Sequence, residues 1–97
     1  MIRHIVLWTF ADGVPPAERD AIVAAVRGLP ETVPSLRTLE VGDNVSPARA
    51  QGYTHVLVET FDDREGLAAY ALHPDHVPVV ARLRAAASQL LAVDLEV

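Results

Sequence analysis

The four histidines are the residues of this chain best suited to chemistry near neutral pH, because imidazole exchanges a proton in that range. His4 and His55 lie in strand-like segments, whereas His73 and His76 lie in a helical segment that a proline interrupts. Tyr70 precedes His76 by six residues, so a phenol and an imidazole flank the same bend. The bend is therefore a candidate acid–base site, with Tyr70 and His76 as the residues that flank it.

Other interpretations of the histidines stay open. A single histidine in a strand is often a hydrogen-bonded core residue rather than a reactive one. His73 and His76, three residues apart, could also ligate a transition metal, but no third ligand is evident nearby and we expect no metal site. The chain contains neither cysteine nor lysine, which excludes disulfides, a cysteine nucleophile and Schiff-base chemistry.

The size and charge of the chain exclude several classes of protein. Its 97 residues predict one domain over residues 1–97. A formal net charge of −5, with acids and bases interspersed, argues against a nucleic-acid partner. No apolar run is long enough to span a membrane, and the N-terminal residues lack the features of a signal peptide. We therefore expect a cytoplasmic protein with no membrane partner.

Hydrophobic periodicity predicts four strands and two helical regions in the order βαββαβ. The second helical region begins at a capping box from Asp62 to Glu65, is broken at Pro74 and continues to Leu90. This order is typical of a ferredoxin-like α+β domain with a four-stranded antiparallel sheet. The predicted strands span residues 2–10, 36–41, 53–61 and 92–97. The first helix begins at Pro15-Pro16 and ends near Arg27, and Pro30 and Pro34 bracket a predicted loop.

This topology places the first and third strands side by side and both helices on one face of the sheet. His4 and His55 can then share a face, so we expect them to meet Tyr70 and His76 in one cavity. The same strands are also apolar on the face that the helices leave uncovered, and soluble monomers rarely expose such a patch. A second copy of the chain is the expected cover, which predicts a two-fold homodimer.

Three segments together resemble the stress-responsive A/B barrel family, often called the Dabb domain. They are His4–Trp8, Gly52–Val56 and the histidine-proline-x-histidine element within Tyr70–His76. The similarity extends over essentially the whole chain. It implies a dimeric α+β barrel built from ferredoxin-like protomers.

The plant polyketide-cyclase branch of that family, which makes olivetolic acid, implies a specific chemistry. The resemblance assigns the catalytic base to His76 and its assisting phenol to Tyr70, with His4, His55 and His73 lining the substrate site. The implied reaction is an intramolecular aldol condensation that needs no cofactor. Three alternatives stay open at this point: a cyclase-like enzyme, a protein that binds an apolar small molecule without turnover, and a structural stress-response protein.

Overall fold

The computed structural model describes residues 1–97 and contains one four-stranded antiparallel sheet. The strands lie side by side in the order β2-β3-β1-β4, which confirms the predicted ferredoxin-like topology with β1 and β3 at the centre. The strands are β1 (Ile2–Phe10), β2 (Thr38–Asp43), β3 (His55–Phe61) and β4 (Ala87–Glu96). The helices are α1 (Pro16–Arg27), α2 (Leu29–Thr32), α3 (Arg64–Leu72) and α4 (Val77–Ala86).

The largest difference from the predicted elements is at the start of β4. The alanine-rich segment before Leu90 favours a helix by intrinsic propensity, but α4 ends at Ala86 and the strand begins with the next residue. The reason is tertiary: β4 pairs with β1 over almost its whole length, and Gln89 donates a side-chain hydrogen bond to the Thr9 hydroxyl. The ladder with a central strand outweighs the local preference.

Smaller differences occur at four other places. The N-cap of α3 is Asp63, whose side chain accepts from the Gly66 amide, while Asp62 instead pairs with Arg37. The segment after Gly28, predicted as a loop, contains the short helix α2. β2 and β3 each begin two residues later than predicted.

The helices pack on one face of the sheet and bury two clusters of hydrophobic side chains there. Successive residues of a strand point to opposite faces, so the even-numbered residues of β1 face the helices. The first cluster comprises Val6, Trp8, Phe10, Ile22, Val26, Leu57, Leu83 and Ala86. The second comprises Ile2, Leu29, Val33, Leu36, Phe61 and Tyr70.

The opposite face of the sheet carries two cross-strand rows of apolar side chains. Leu7 lies between Val56 and Leu91, and Ile5 lies between Val58 and Val93. We call these six residues the open face. Leu91 and Val93 are 46% and 49% exposed in the single chain, so no element of the chain covers this edge. None of the helices is both long and apolar enough to cross a membrane.

Candidate active-site cavity

A cavity of about 280 Å³ lies between the helix-covered face of the sheet and helices α3 and α4. Twelve of its sixteen lining residues are hydrophobic. The remaining side chains converge on it from the strands and from the broken helical region: His4, Glu59, His76 and Arg84, with the Tyr70 ring among the hydrophobic set. A mostly apolar cavity with a few convergent polar groups is the usual form of a small-molecule site.

Strand pairing places His4 in the middle of a row of polar residues. Its Cα partners are Glu59 on β3 and Asp94 on β4. The His4 Nδ1 lies 2.5 Å from the Asp94 Oδ1, and the two side chains are 18% and 49% exposed. Because the Asp94 carboxylate accepts a hydrogen bond from Nδ1, the Nε2 of this imidazole is the nitrogen that remains for a molecule in the cavity.

Glu59 is a fully buried carboxyl group in the cavity wall. The Tyr70 hydroxyl donates to its Oε2 at 2.6 Å, whereas its Oε1 has no hydrogen-bonding partner in the protein. Burial raises the pKa of Glu59 to about 7, against the opposing effects of the Tyr70 hydroxyl and of His4. Burial and the adjacent carboxyl also raise the pKa of Tyr70, so the phenol keeps its proton at neutral pH.

The proline-broken corner between α3 and α4 presents His76 to the cavity. α3 ends at Leu72, and His76 directly precedes α4. The His76 ring lies against the Tyr70 ring, with their centroids 3.9 Å apart. Its Nδ1 is buried without a partner, and burial lowers the pKa of this imidazole although the Ala71 carbonyl opposes the shift. The lowered pKa favours the neutral form of His76, which is the form that can accept a proton.

His55 does not line this cavity, which corrects the expectation that the two strand histidines meet. The antiparallel register sets His55 opposite Trp8 rather than opposite His4. Four residues along a strand are roughly 13 Å, too far for a shared ligand contact. The His55 ring instead stacks on Trp8 with centroids 5.2 Å apart, and its Nδ1 contacts the Thr54 hydroxyl at 2.8 Å.

His73 also lies outside the cavity lining. It is the C-cap of α3, and its Nδ1 accepts a hydrogen bond from the Asp75 amide at 3.0 Å. This contact closes the turn that the proline imposes. The structure contains no group of three or more His, Cys, Asp or Glu side chains arranged to hold a metal ion.

Glu59 is the cavity residue that the sequence reasoning missed. It shares its strand parity with Leu57 and Phe61, both buried against the helices. A carboxylate at a core-facing position of a central strand is rare unless it is paired. That pattern was the available signal.

Comparison with known proteins identifies the family. The model of the Stress responsive A/B Barrel Domain matches residues 2–97. The chain is 29% identical to the stress-response A/B barrel protein HS1 of Arabidopsis thaliana over 94 residues, which cover 96% of this chain and 86% of that protein. It is 26% identical to olivetolic acid cyclase of Cannabis sativa over 77 residues, covering 78% of this chain and 76% of the cyclase.

A solved structure extends the comparison to three dimensions. A dimeric ferredoxin-like protein of unknown function from Thermobifida fusca superposes with a TM-score of 0.85 at 30% sequence identity. The superposition covers 99% of this chain and 90% of that one. With the family model matching nearly every residue, this chain belongs to the stress-responsive A/B barrel family.

Proposed function

We propose that the cavity binds a small, mostly apolar molecule carrying a carbonyl group, and that His76 removes a proton from the carbon next to that carbonyl. The observation that supports this most is the state of His76 itself. Its ring is in contact with Tyr70, its Nδ1 is buried without a partner, and its pKa is below the usual value. A neutral, partly desolvated imidazole in an apolar cavity is suited to proton abstraction.

The chemistry that follows needs only groups of this chain. His76 takes the α-proton, and the electron pair of the broken C–H bond forms an enolate whose oxygen lies at the Glu59–Tyr70 end of the cavity. The α-carbon then attacks a second carbonyl carbon of the same molecule. The proton on His76 passes to the alkoxide that results. The similarity to olivetolic acid cyclase supports this aldol step, which requires no cofactor.

We also propose that the open face is covered by a second copy of the chain in a two-fold homodimer. The support is the exposed apolar edge at Leu91 and Val93, together with the dimeric description of the Thermobifida fusca relative. An isologous contact would pair this face with itself and bury both copies at once.

Deuterium exchange tests the proposed chemistry without knowledge of the natural substrate. Acetophenone is an apolar ketone with an exchangeable methyl group, and its deuteration in deuterium oxide can be followed by NMR. The native protein should accelerate the exchange, and His76→Ala should slow it by about a hundredfold or more, which is the usual contribution of a general base. Because burial lowers the pKa of His76, the acceleration should persist to lower pH than it would with a histidine of ordinary pKa.

His55→Ala is the matched control, since it removes a histidine of similar burial that lies outside the cavity. This variant should exchange the ketone as the native protein does. Acetophenone that binds but exchanges no faster than with free imidazole at equal concentration would show a binding protein without turnover.

Sedimentation tests the homodimer. The native chain should sediment as a dimer at micromolar concentration, and Leu91→Asp should sediment as a folded monomer because Leu91 is already half exposed in the single chain. Leu72→Asp is the control, since Leu72 is 82% exposed on α3 and lies outside the open face. A monomeric native chain, or a dimer unaffected by Leu91→Asp, would contradict this proposal.

A further inference from the structure

Glu59 is the sole charged residue among the buried side chains, and one of its oxygens is unpaired. The unpaired atom, Oε1, belongs to a residue that lines the cavity. A buried polar atom without a partner costs folding free energy, so its presence in a cavity wall points to a hydrogen bond made with a ligand.

The hydrogen bond between Tyr70 and Glu59 determines which group can meet a carbonyl oxygen. A phenol has one hydroxyl proton, and the Tyr70 hydroxyl donates it in a hydrogen bond of 2.6 Å to the Glu59 Oε2. Tyr70 therefore cannot donate to a ligand in this arrangement. A neutral carboxylic acid, in contrast, accepts at one oxygen and donates at the other. With its proton on Oε1, Glu59 satisfies Tyr70 and presents a donor to the cavity.

We propose that the Oε1–H group of Glu59 is the donor that holds the ligand's carbonyl oxygen, and that Tyr70 is a positioning residue which fixes this carboxyl group. The inference deepens the proposed function and rests on it for the identity of the ligand as a carbonyl compound. Glu59 keeps its proton throughout, while His76 carries the abstracted proton. A hydrogen bond from a neutral acid stabilises the enolate oxygen more than the carbonyl oxygen, because negative charge develops there.

The surroundings of Glu59 favour its neutral form. Its pKa lies at about 7 because burial outweighs the charge-stabilising neighbours. No arginine or lysine is hydrogen-bonded to it. The titratable and charged groups that face it, directly or through a neighbour, are His4 on β1, Asp94 behind His4 on β4, Tyr70 on α3, and His76 and Arg84 at the cavity.

Infrared spectroscopy of bound acetophenone tests the proposal directly. The carbonyl stretch moves to lower frequency when the oxygen accepts a hydrogen bond. In the native protein the stretch should be lowered, and the lowering should disappear as the pH rises through about 7. Glu59→Gln should keep the lowered stretch at every pH, because its amide oxygen can accept from Tyr70 while its NH₂ group faces the cavity.

Glu59→Leu is the contrasting variant, and Glu40→Gln on the exposed part of β2 is the control. Glu59→Leu should lose the shift and bind the ketone about tenfold more weakly. The proposal is overturned if Glu59→Gln behaves like Glu59→Leu, if the stretch is not lowered in the native protein, or if acetophenone does not bind.

The deuterium exchange described above separates this inference from the proposed function. A lowered stretch without exchange leaves Glu59 as the ligand's donor and removes the catalytic role of His76. Exchange without a lowered stretch supports the catalytic role of His76 and removes Glu59 as the ligand's donor.

Tyr70→Phe tests the positioning role. The ring contacts with Phe61 and His76 can remain, so a purely structural role predicts little change in the infrared titration of Glu59. Because the Tyr70 hydroxyl lowers the pKa of Glu59, its loss should move the midpoint of the carboxyl band to higher pH. The difference spectrum between Tyr70→Phe and the double variant with Glu59→Gln isolates this band, and an unmoved midpoint overturns the positioning role.

Discussion

The helix-covered face of the sheet carries histidines at two places with different surroundings. At the cavity end, His4 and His76 lie with Glu59 and Tyr70 around a volume of about 280 Å³. At the aromatic end, His55 stacks on Trp8 and meets the edge of Phe10 with centroids 5.0 Å apart. Burial lowers the pKa of both His55 and His76.

Because the pKa of both histidines is lowered, the pKa shift by itself does not select His76 as the candidate base. The His55 Nδ1 lies 2.8 Å from the Thr54 hydroxyl, and its Nε2 lies 3.5 Å from the Asp43 carboxylate. At the cavity end the unpartnered buried atoms are His76 Nδ1 and Glu59 Oε1. The aromatic end also contains one buried atom without a partner, the Trp8 Nε1, but an indole does not exchange its proton near neutral pH. The unpartnered atoms at the cavity end belong to ionisable groups, which is why that end is the candidate site.

The largest expected effect on stability is at Glu59. In the unfolded chain this carboxyl group releases its proton near pH 4.5, but the folded protein holds the proton to about pH 7. The folded state therefore binds more protons in this window, and stability falls as the pH rises through it. Glu59→Gln should unfold with a free energy up to about 3 kcal/mol higher than the native protein at alkaline pH.

Urea unfolding across pH measures this difference. Glu40→Gln, on the exposed part of β2, is the control and should show no such trend. The gain in Glu59→Gln should shrink toward zero below about pH 4.5, where both states are protonated. A gain that does not change with pH would contradict the buried, titrating carboxyl group.

The next largest effect is the difference in stability between variants of His55 at the aromatic end and His76 at the cavity end. His55→Ala removes stacking on Trp8 and the contact with Thr54, and should lower the free energy of unfolding by about 2 kcal/mol. His76→Ala removes an imidazole whose Nδ1 is already unpaired, and should cost less than about 1 kcal/mol. Melting curves of the two variants at equal concentration measure this difference. A lower melting temperature for His76→Ala than for His55→Ala would contradict the prediction.

The smallest effect is expected at the solvent side of the cavity end. Asp94 is 49% exposed, and its pair with His4 is at the edge of the structure. Asp94→Asn should lower the free energy of unfolding by about 0.5 kcal/mol, as for other exposed pairs. Urea unfolding measures this loss. A loss several times larger would show that the pair between His4 and Asp94 helps to hold the cavity together.

Much of the fold could be predicted because its signals are local. The extent of β1, the end of α1 near Gly28 and the break at Pro74 follow from β-forming side chains, backbone freedom and ring geometry. The start of β4 could not be predicted in this way. Ala87 belongs to a helix-favouring run, and its pairing with Phe10 decides its conformation.

The residues of the candidate site likewise differ in whether their positions could be predicted from the sequence. Tyr70 and His76 could be placed together because only five residues separate them, one of which is Pro74, and this is a short-range relation. The separation of His55 from His4 could not be predicted, because it depends on a cross-strand register set by side-chain packing and by the loop between β2 and β3.

The sequence by itself therefore determined the βαββαβ order and the proline corner, since each depends on neighbours along the chain, and the family resemblance added His76 as the candidate base. The tertiary structure alone decided that Glu59 lies opposite His4 and accepts a hydrogen bond from the Tyr70 hydroxyl. It also left two ionisable groups at the cavity end with unpaired atoms and stacked His55 on Trp8 at the aromatic end. The physical reason is that burial and hydrogen-bond satisfaction are set by contacts between distant segments, which local propensity does not encode.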